Sequence, residues 1–171
     1  ELQDLVRHVA EYIVLSDMQF VIVGTGDYMY ESFFNELAAK YPGRVGVYIG
    51  FNPELAHLVY AGADMFLMPS KSEPCGLAQM VALRYGAIPI VRETGGLKDS
   101  ITDSGDGVGN GFTFKSYNAH DMLDACLRAK AVYENKEDWK VLVKRALGCD
   151  FGWDRAAESY IGLYNEMATL W

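Results

Sequence analysis

The sequence predicts an α/β fold: a Rossmann-like, mostly parallel sheet with helices on both faces. Three observations carry that expectation. Short apolar runs alternate with helix-period patterns along most of the chain. The runs are continuous rather than alternating, as in strands buried on both faces. Glycines and prolines stand at many of the joints between them.

In order, Leu2, Leu5, Val6, Val9 and Ile13 share one helix face within a helix expected over residues 1–15. Phe20 to Val23 is a strand, followed by Gly24-Thr25-Gly26-Asp27. Tyr30, Phe33, Phe34, Leu37 and Tyr41 mark a helix that Pro42-Gly43 stops. Strands are expected at Val45–Ile49, Asp64–Met68, Ile88–Val91 and Phe112–Phe114. Helical segments are expected at Pro53–Ala61, Gly76–Tyr85 and Leu97–Ile101, and Gly105–Gly111 reads as a loop. Helices then dominate: Asn118 caps one that runs to Glu134, with Asp121 favoured near its N-terminus. Others span Lys136–Leu147 and Asp154 to the end.

With 171 residues, half of them hydrophobic, the chain suffices for one domain with a substantial core. A net charge of −8 argues against a nucleic-acid or anionic-membrane surface, though not against a nucleotide, which needs only local cations and amides. Cys75, Cys126 and Cys149 match neither a disulfide framework nor a zinc pattern. No apolar run is long enough to span a bilayer. No signal peptide opens the chain, and its abrupt helical opening leads us to expect natural polypeptide before residue 1.

In such sheets ligands sit beyond the carboxyl ends of the strands, so the loops after Val23, Ile49, Met68 and Val91 carry the functional expectations. Gly24-Thr25-Gly26 begins like a dinucleotide fingerprint but has Met29 where a third glycine belongs, so it reads as a tight turn near a nucleotide. The segment Pro69 to Gln79 combines Glu73 and Pro74 with Gly76 and a helix start. Unpaired N–H groups of Cys75, Gly76, Leu77 and Ala78 can face phosphate oxygens or sugar hydroxyls. Glu73 has two readings: an acceptor for sugar hydroxyls, or an acid favoured by the helix dipole. Gly95 and Gly96, between Arg92 and Asp99, either let a ligand approach the backbone or form a connecting turn.

Glu73-Pro74-Cys75-Gly76-Leu77 followed by Thr94-Gly95-Gly96-Leu97 resembles the donor-site region of the bacterial glycogen and plant starch synthases, retaining glycosyltransferases of the GT-B class. Ile49-Gly50-Phe51 is similar to their Ile-Gly-Tyr segment, and Asp150-Phe151-Gly152-Trp153-Asp154 to their Asp-Phe-Ser-Trp signature. The resemblance runs through essentially the whole chain in order. It implies that residues 1–171 form the C-terminal donor-binding half of a two-domain enzyme, with residues 152–171 crossing toward an N-terminal domain. That enzyme transfers glucose from ADP-glucose, or UDP-glucose, to the non-reducing end of an α-1,4-glucan. Glu73 then contacts the transferred glucose. Cys75, Gly76, Leu77 and Ala78 contact sugar and phosphates, and Gly95 and Gly96 lie near the donor. Gly50 and Phe51 meet the adenine, with Gly24 and Gly26 nearby. No cofactor and no metal are implied. The partners implied are the donor, the glucan and the N-terminal domain, which holds the acceptor groups. The family's phosphate-clamping Arg and Lys lie upstream of residue 1. The compartment implied is the bacterial cytoplasm or the plastid stroma.

Three positions depart from or refine the pattern. Ala78 stands where many members have Thr, removing a hydroxyl contact of ~1 kcal/mol. Gly152 stands where many have Ser. Val81 occupies the place of a second Glu found in broader GT-B relatives, which favours the synthases. The other class consistent with the residues is a non-catalytic nucleotide- or glucan-binding module. His8, His57 and His120 read as surface or packing residues, Cys126 as core, Trp139 and Trp153 as packing anchors, and Lys71 as a solvated lysine.

Overall fold

A computed structural model of the chain describes residues 2–169. The expected helix residue Glu1 and the last two residues of the C-terminal helix lie outside the described residues. Helix α1 (Leu2–Leu15) leads into β1 (Phe20–Gly24), α2 (Tyr28–Lys40) and β2 (Val45–Ile49). Then come α3 (Pro53–Gly62), β3 (Met65–Met68), α4 (Ala78–Tyr85), β4 (Ile88–Arg92) and α5 (Gly95–Ser100). A single 3-10 turn at Ser104–Asp106 precedes β5 (Phe112–Phe114), and α6 (Ala119–Glu134), α7 (Lys136–Leu147) and α8 (Trp153–Ala168) follow.

Local chemistry accounts for several boundaries. Asn52 accepts from Leu55 N–H at 3.0 Å and Pro53 occupies the first turn, so α3 starts there. Asn118 accepts from His120 and Asp121 N–H, as its position before Asp121 predicts. Gly86, at φ 79°, closes α4 in the left-handed conformation that glycine permits. Several boundaries differ from expectation by one or two residues, as where α5 begins at Gly95 rather than Leu97 and β3 at Met65 rather than Asp64. Helix α4 begins at Ala78, not Gly76, because Gly76 takes φ 72° and cannot be a helical residue.

Every strand pair is parallel, as the continuous apolar runs predict. The strands nevertheless form two sheets rather than one, β1-β2 and β3-β4-β5. Between β1 and β3 lies a cavity of about 860 Å³, bordered by residues of both strands. From this gap the crossovers step outward in opposite directions, so the right-handed rule puts α2 and α4 on opposite faces. Helix α1 lies with α2 and α6, whereas α3 lies with α4, giving helices on both faces.

The densest packing surrounds β4 and β5, where Ile88, Ile90, Val91 and Phe112 are buried with Leu83, Leu97, Met122 and Leu142. Trp139 is buried and meets Tyr133 edge to face, as a packing anchor should. Cys126 is core, and burial pushes its thiol up to about 12. Trp153 corrects its expectation: at the start of α8 it is 83% exposed and anchors nothing. No helix among the described residues is long and apolar enough to cross a membrane.

Candidate functional site

Two loop clusters stand at the carboxyl ends of the strands. The first joins the loop after β3 to the loop after β4. Gly96 N–H donates to Glu73 O at 3.1 Å. A Cβ on Gly95 would lie 2.0 Å from Glu73 O, and one on Gly96 would lie 1.9 Å from Cys75 O. Both glycines are therefore dictated by backbone-on-backbone packing, whether or not a ligand also approaches them. The paired-glycine turn and the Glu73 loop form one unit.

Gln79 welds this unit from beneath. Wholly buried, it donates through Nε2 to Gly76 O at 2.9 Å, Cys75 O at 3.3 Å and Ser100 Oγ at 3.1 Å. Ser100 Oγ in turn donates to Gly96 O at 2.6 Å. Gly76 takes φ 72°, which favours glycine, and a Cβ there would lie 2.6 Å from Gln79 Oε1 and displace that side-chain amide. Arg92 braces the other end, donating from Nε to Ser70 O at 2.9 Å and from its terminal nitrogens to the carbonyls of Lys71 and Lys115. Gln79, Ser100 and Arg92 have no functional role in the sequence reading. The available signals were an arginine ending a strand before paired glycines and a serine one helical turn after them.

Glu73 is partly exposed and lies five residues before the first residue of α4, which has no acid in its first turn. Glu73 is therefore not a first-turn acid of α4. Among the described residues no protein acceptor takes the N–H groups of Gly76, Leu77 or Ala78, which leaves them open to a ligand. Cys75 and Leu77 are exposed, Ala78 is partly so, and Gly76 is buried. Lys71 is exposed, with its ammonium 6.0 Å above the Tyr117 ring.

The second cluster joins the loops after β1 and β2. Gly50 N–H donates to Gly24 O at 3.0 Å, which sets Phe51 at the head of the β1-β2 sheet. Phe51 is 90% exposed, a free ring at the ligand end of a sheet. The would-be Cβ of Gly50, at φ 155°, meets the Tyr48 ring at 3.0 Å. Gly26 N–H donates to Glu31 Oε1 of α2 at 2.9 Å and closes the turn into that helix. No hydrogen bond among the described residues links this cluster to that of Glu73. His8, His57 and His120 are exposed, and His57 pairs with Tyr85 Oη at 3.0 Å. Among the described residues no group of three or more His, Cys, Asp or Glu side chains could hold a metal ion.

The decisive comparison is with the family described as "Glycosyl transferases group 1", which matches residues 2–144. The chain belongs to this family. A glycogen synthase of Bacillus anthracis is 54% identical over 166 residues, covering 96% of this chain and 35% of that protein. A glycogen synthase of Anoxybacillus flavithermus is 52% identical over 166 residues, covering 96% of this chain and 34% of that protein. Among solved structures, the catalytic domain of starch synthase IV from Arabidopsis thaliana, bound to ADP and acarbose, superposes with a TM-score of 0.85 at 34% identity. It covers 95% of this chain, which covers 35% of it. The expected GT-B glycosyltransferase fold class and the resemblance to glycogen and starch synthases are thus borne out. The chain spans about a third of the length of the curated relatives it matches.

Proposed function

We propose that this glycosyltransferase chain is the donor-binding half of an α-1,4-glucan synthase that transfers glucose from ADP-glucose, or UDP-glucose, to a glucan non-reducing end with retention. The observation that carries the reading is the welded unit of Glu73, Cys75 and the two glycines, at the carboxyl end of a parallel sheet. Its relatives named glycogen synthase, and a starch synthase structure holding ADP, support the same assignment.

In this reading Glu73 accepts hydrogen bonds from glucose hydroxyls and orients C1, rather than attacking it. As the C1–O bond breaks, negative charge grows on the leaving diphosphate. In this reading the N–H groups of Gly76, Leu77 and Ala78, at the start of α4, stabilise that charge together with the helix dipole. Their positions are set in advance by Gln79 and Ser100, so little reorganisation accompanies reaction. Phe51 stacks on the base, with Gly24 and Gly50 beneath it. The glucan acceptor is held by an N-terminal domain of the same polypeptide, in a bacterial cytoplasm or plastid stroma.

The test is a transfer assay with ADP-glucose and glycogen on the longer parent enzyme and its Glu73→Gln variant. The variant is expected to lose kcat on the order of a hundredfold while its melting temperature stays unchanged. Transfer at the parental rate by the variant would refute the role of Glu73. Binding of ADP-glucose by the parent without any transfer would instead make the protein a nucleotide-sugar-binding module.

A further inference from the structure

The Gln79 carboxamide is fully buried, and its two ends are used unequally. Nε2 lies 2.9 Å from Gly76 O, 3.3 Å from Cys75 O and 3.1 Å from Ser100 Oγ. Its two hydrogens are thus shared among three acceptors. The reverse orientation would set Oε1 against two carbonyls that cannot donate and a hydroxyl that already donates to Gly96 O at 2.6 Å. The nitrogen end is therefore the one that faces the loop. Oε1 is buried and has no hydrogen-bond partner among the described residues.

Gly76 and Gln79 have the spacing of a capping box, in which the carboxamide oxygen at the later position accepts from the N–H at the earlier one. Oε1 lies beside Gly76, 2.6 Å from where a Cβ would be. The box is nevertheless not made. A cap residue in such a box is extended, whereas Gly76 has φ 72°, and no protein acceptor among the described residues takes its N–H. A glutamine serving helix stability alone would use its oxygen on that N–H. Gln79 uses its nitrogen on the carbonyls instead and leaves a buried acceptor unpaired, which lowers stability.

Peptide geometry gives that arrangement a consequence. In a planar trans peptide the C=O and the N–H of the following residue point in opposite directions, and no peptide bond among the described residues is cis. Cys75 O, turned onto Nε2, therefore aims Gly76 N–H away from Gln79, and Gly76 O does the same for Leu77 N–H. We propose that Gln79 is a positioning residue for the donor diphosphate: by holding the carbonyls of Cys75 and Gly76, its carboxamide nitrogen aims the N–H groups of Gly76 and Leu77 at the phosphates. The proposal deepens the donor-binding reading and rests on it. It assigns the aim of two amides to the donor end of one side chain. An apolar side chain of the same length would fill the space and leave both peptide planes free to rotate, so that a carbonyl oxygen could replace an N–H in front of the anion.

The test is calorimetric titration of the longer parent enzyme and its Gln79→Met variant with ADP and with adenosine. Methionine fills the site without a donor. The variant is expected to bind ADP more than about tenfold more weakly and adenosine as the parent does, because adenosine carries the base and no anion. A parent that binds no ADP would overturn the donor reading and the proposal with it. Unchanged ADP affinity in the variant would overturn the proposal alone. So would equal losses for ADP and adenosine, the result of a loop merely loosened. A second measurement needs no variant and decides the matter even if Gln79→Met does not fold. In the wild-type parent labelled with nitrogen-15 at glycine and leucine, the Gly76 and Leu77 amide resonances are expected to move with ADP and with inorganic pyrophosphate, and to stay in place with adenosine. Resonances that move no more with ADP than with adenosine would overturn the proposal.

Discussion

At the scale of single residues, Phe51 is the sharpest case. A phenylalanine 90% exposed contributes little to the fold, so its removal isolates a binding role. Phe51→Ala is expected to weaken ADP binding by about 1–3 kcal/mol, with Phe51→Tyr close to wild type and both variants melting as the parent does. Calorimetric titration of the longer parent enzyme measures this. Equal ADP affinity for wild type and the alanine variant would remove Phe51 from the base site. Candidate residues such as Glu73 and Phe51 were legible in the sequence because charge and aromaticity beside glycine are local signals. The role of Gln79 was not. A glutamine on an otherwise apolar helix start looks solvent-facing until the fold brings the carbonyls of Cys75 and Gly76 and the hydroxyl of Ser100 around it. The glycine pair was noticed, but its tightest contacts are with protein backbone, which no periodicity reveals.

Among the connecting elements, the segment between α5 and β5 is held by an acid. Asp103 accepts from Thr113 N–H at 2.8 Å, Gly105 N–H at 2.9 Å and Arg128 Nη1 at 3.0 Å. Burial alone would raise its pKa, but the two amides and the guanidinium together outweigh burial and hold the carboxyl below its ordinary value. Thr113 Oγ1 also reaches Glu93, beside the paired-glycine loop, at 2.8 Å. A depressed carboxyl contributes stability above its unfolded value of about 3.9, and that contribution is lost as pH falls through the folded value. Melting temperature is therefore expected to decline on acidification below about pH 5. Asp103→Asn should melt lower at neutral pH and show a shallower acid decline. Parallel pH profiles for the two proteins would show that Asp103 carries no such linkage. Element boundaries were largely legible where side chains cap or stop a helix, as at Asn52, Pro53 and Asn118. The start of α4 was not, because a left-handed glycine at 76 is invisible to hydrophobic pattern.

At the scale of the whole molecule, α8 stands apart. Tyr160, Ile161, Tyr164 and Met167 are 52–63% exposed, and among the described residues no other element packs extensively along the helix. Such a face suits a partner domain, as the proposed two-domain enzyme requires. Removal of residues 153–171 is expected to shift the melting temperature of this chain by less than about 2 °C. Replacing the same four side chains by serine in the longer parent should lower its melting temperature and its transfer rate. Unfolding of the truncated chain would place α8 in this domain's own core. The parallel fold class was legible from strand composition alone. The division into two sheets was not, because it depends on what lies beside β1 and β3 rather than on their own residues.

The contacts of Gly95 with Glu73 and of Gly96 with Cys75 also bear on redesign. Loops that touch through bare backbone, with no side chain as spacer, have no tolerance to absorb a mismatch. Grafting either segment from a homologue with a different turn would drive a methyl group into a carbonyl oxygen. Residues 70–79 and 92–100 are therefore exchangeable only together, as one cassette, and any selectivity carried by the proposed donor site is swapped with both halves or not at all.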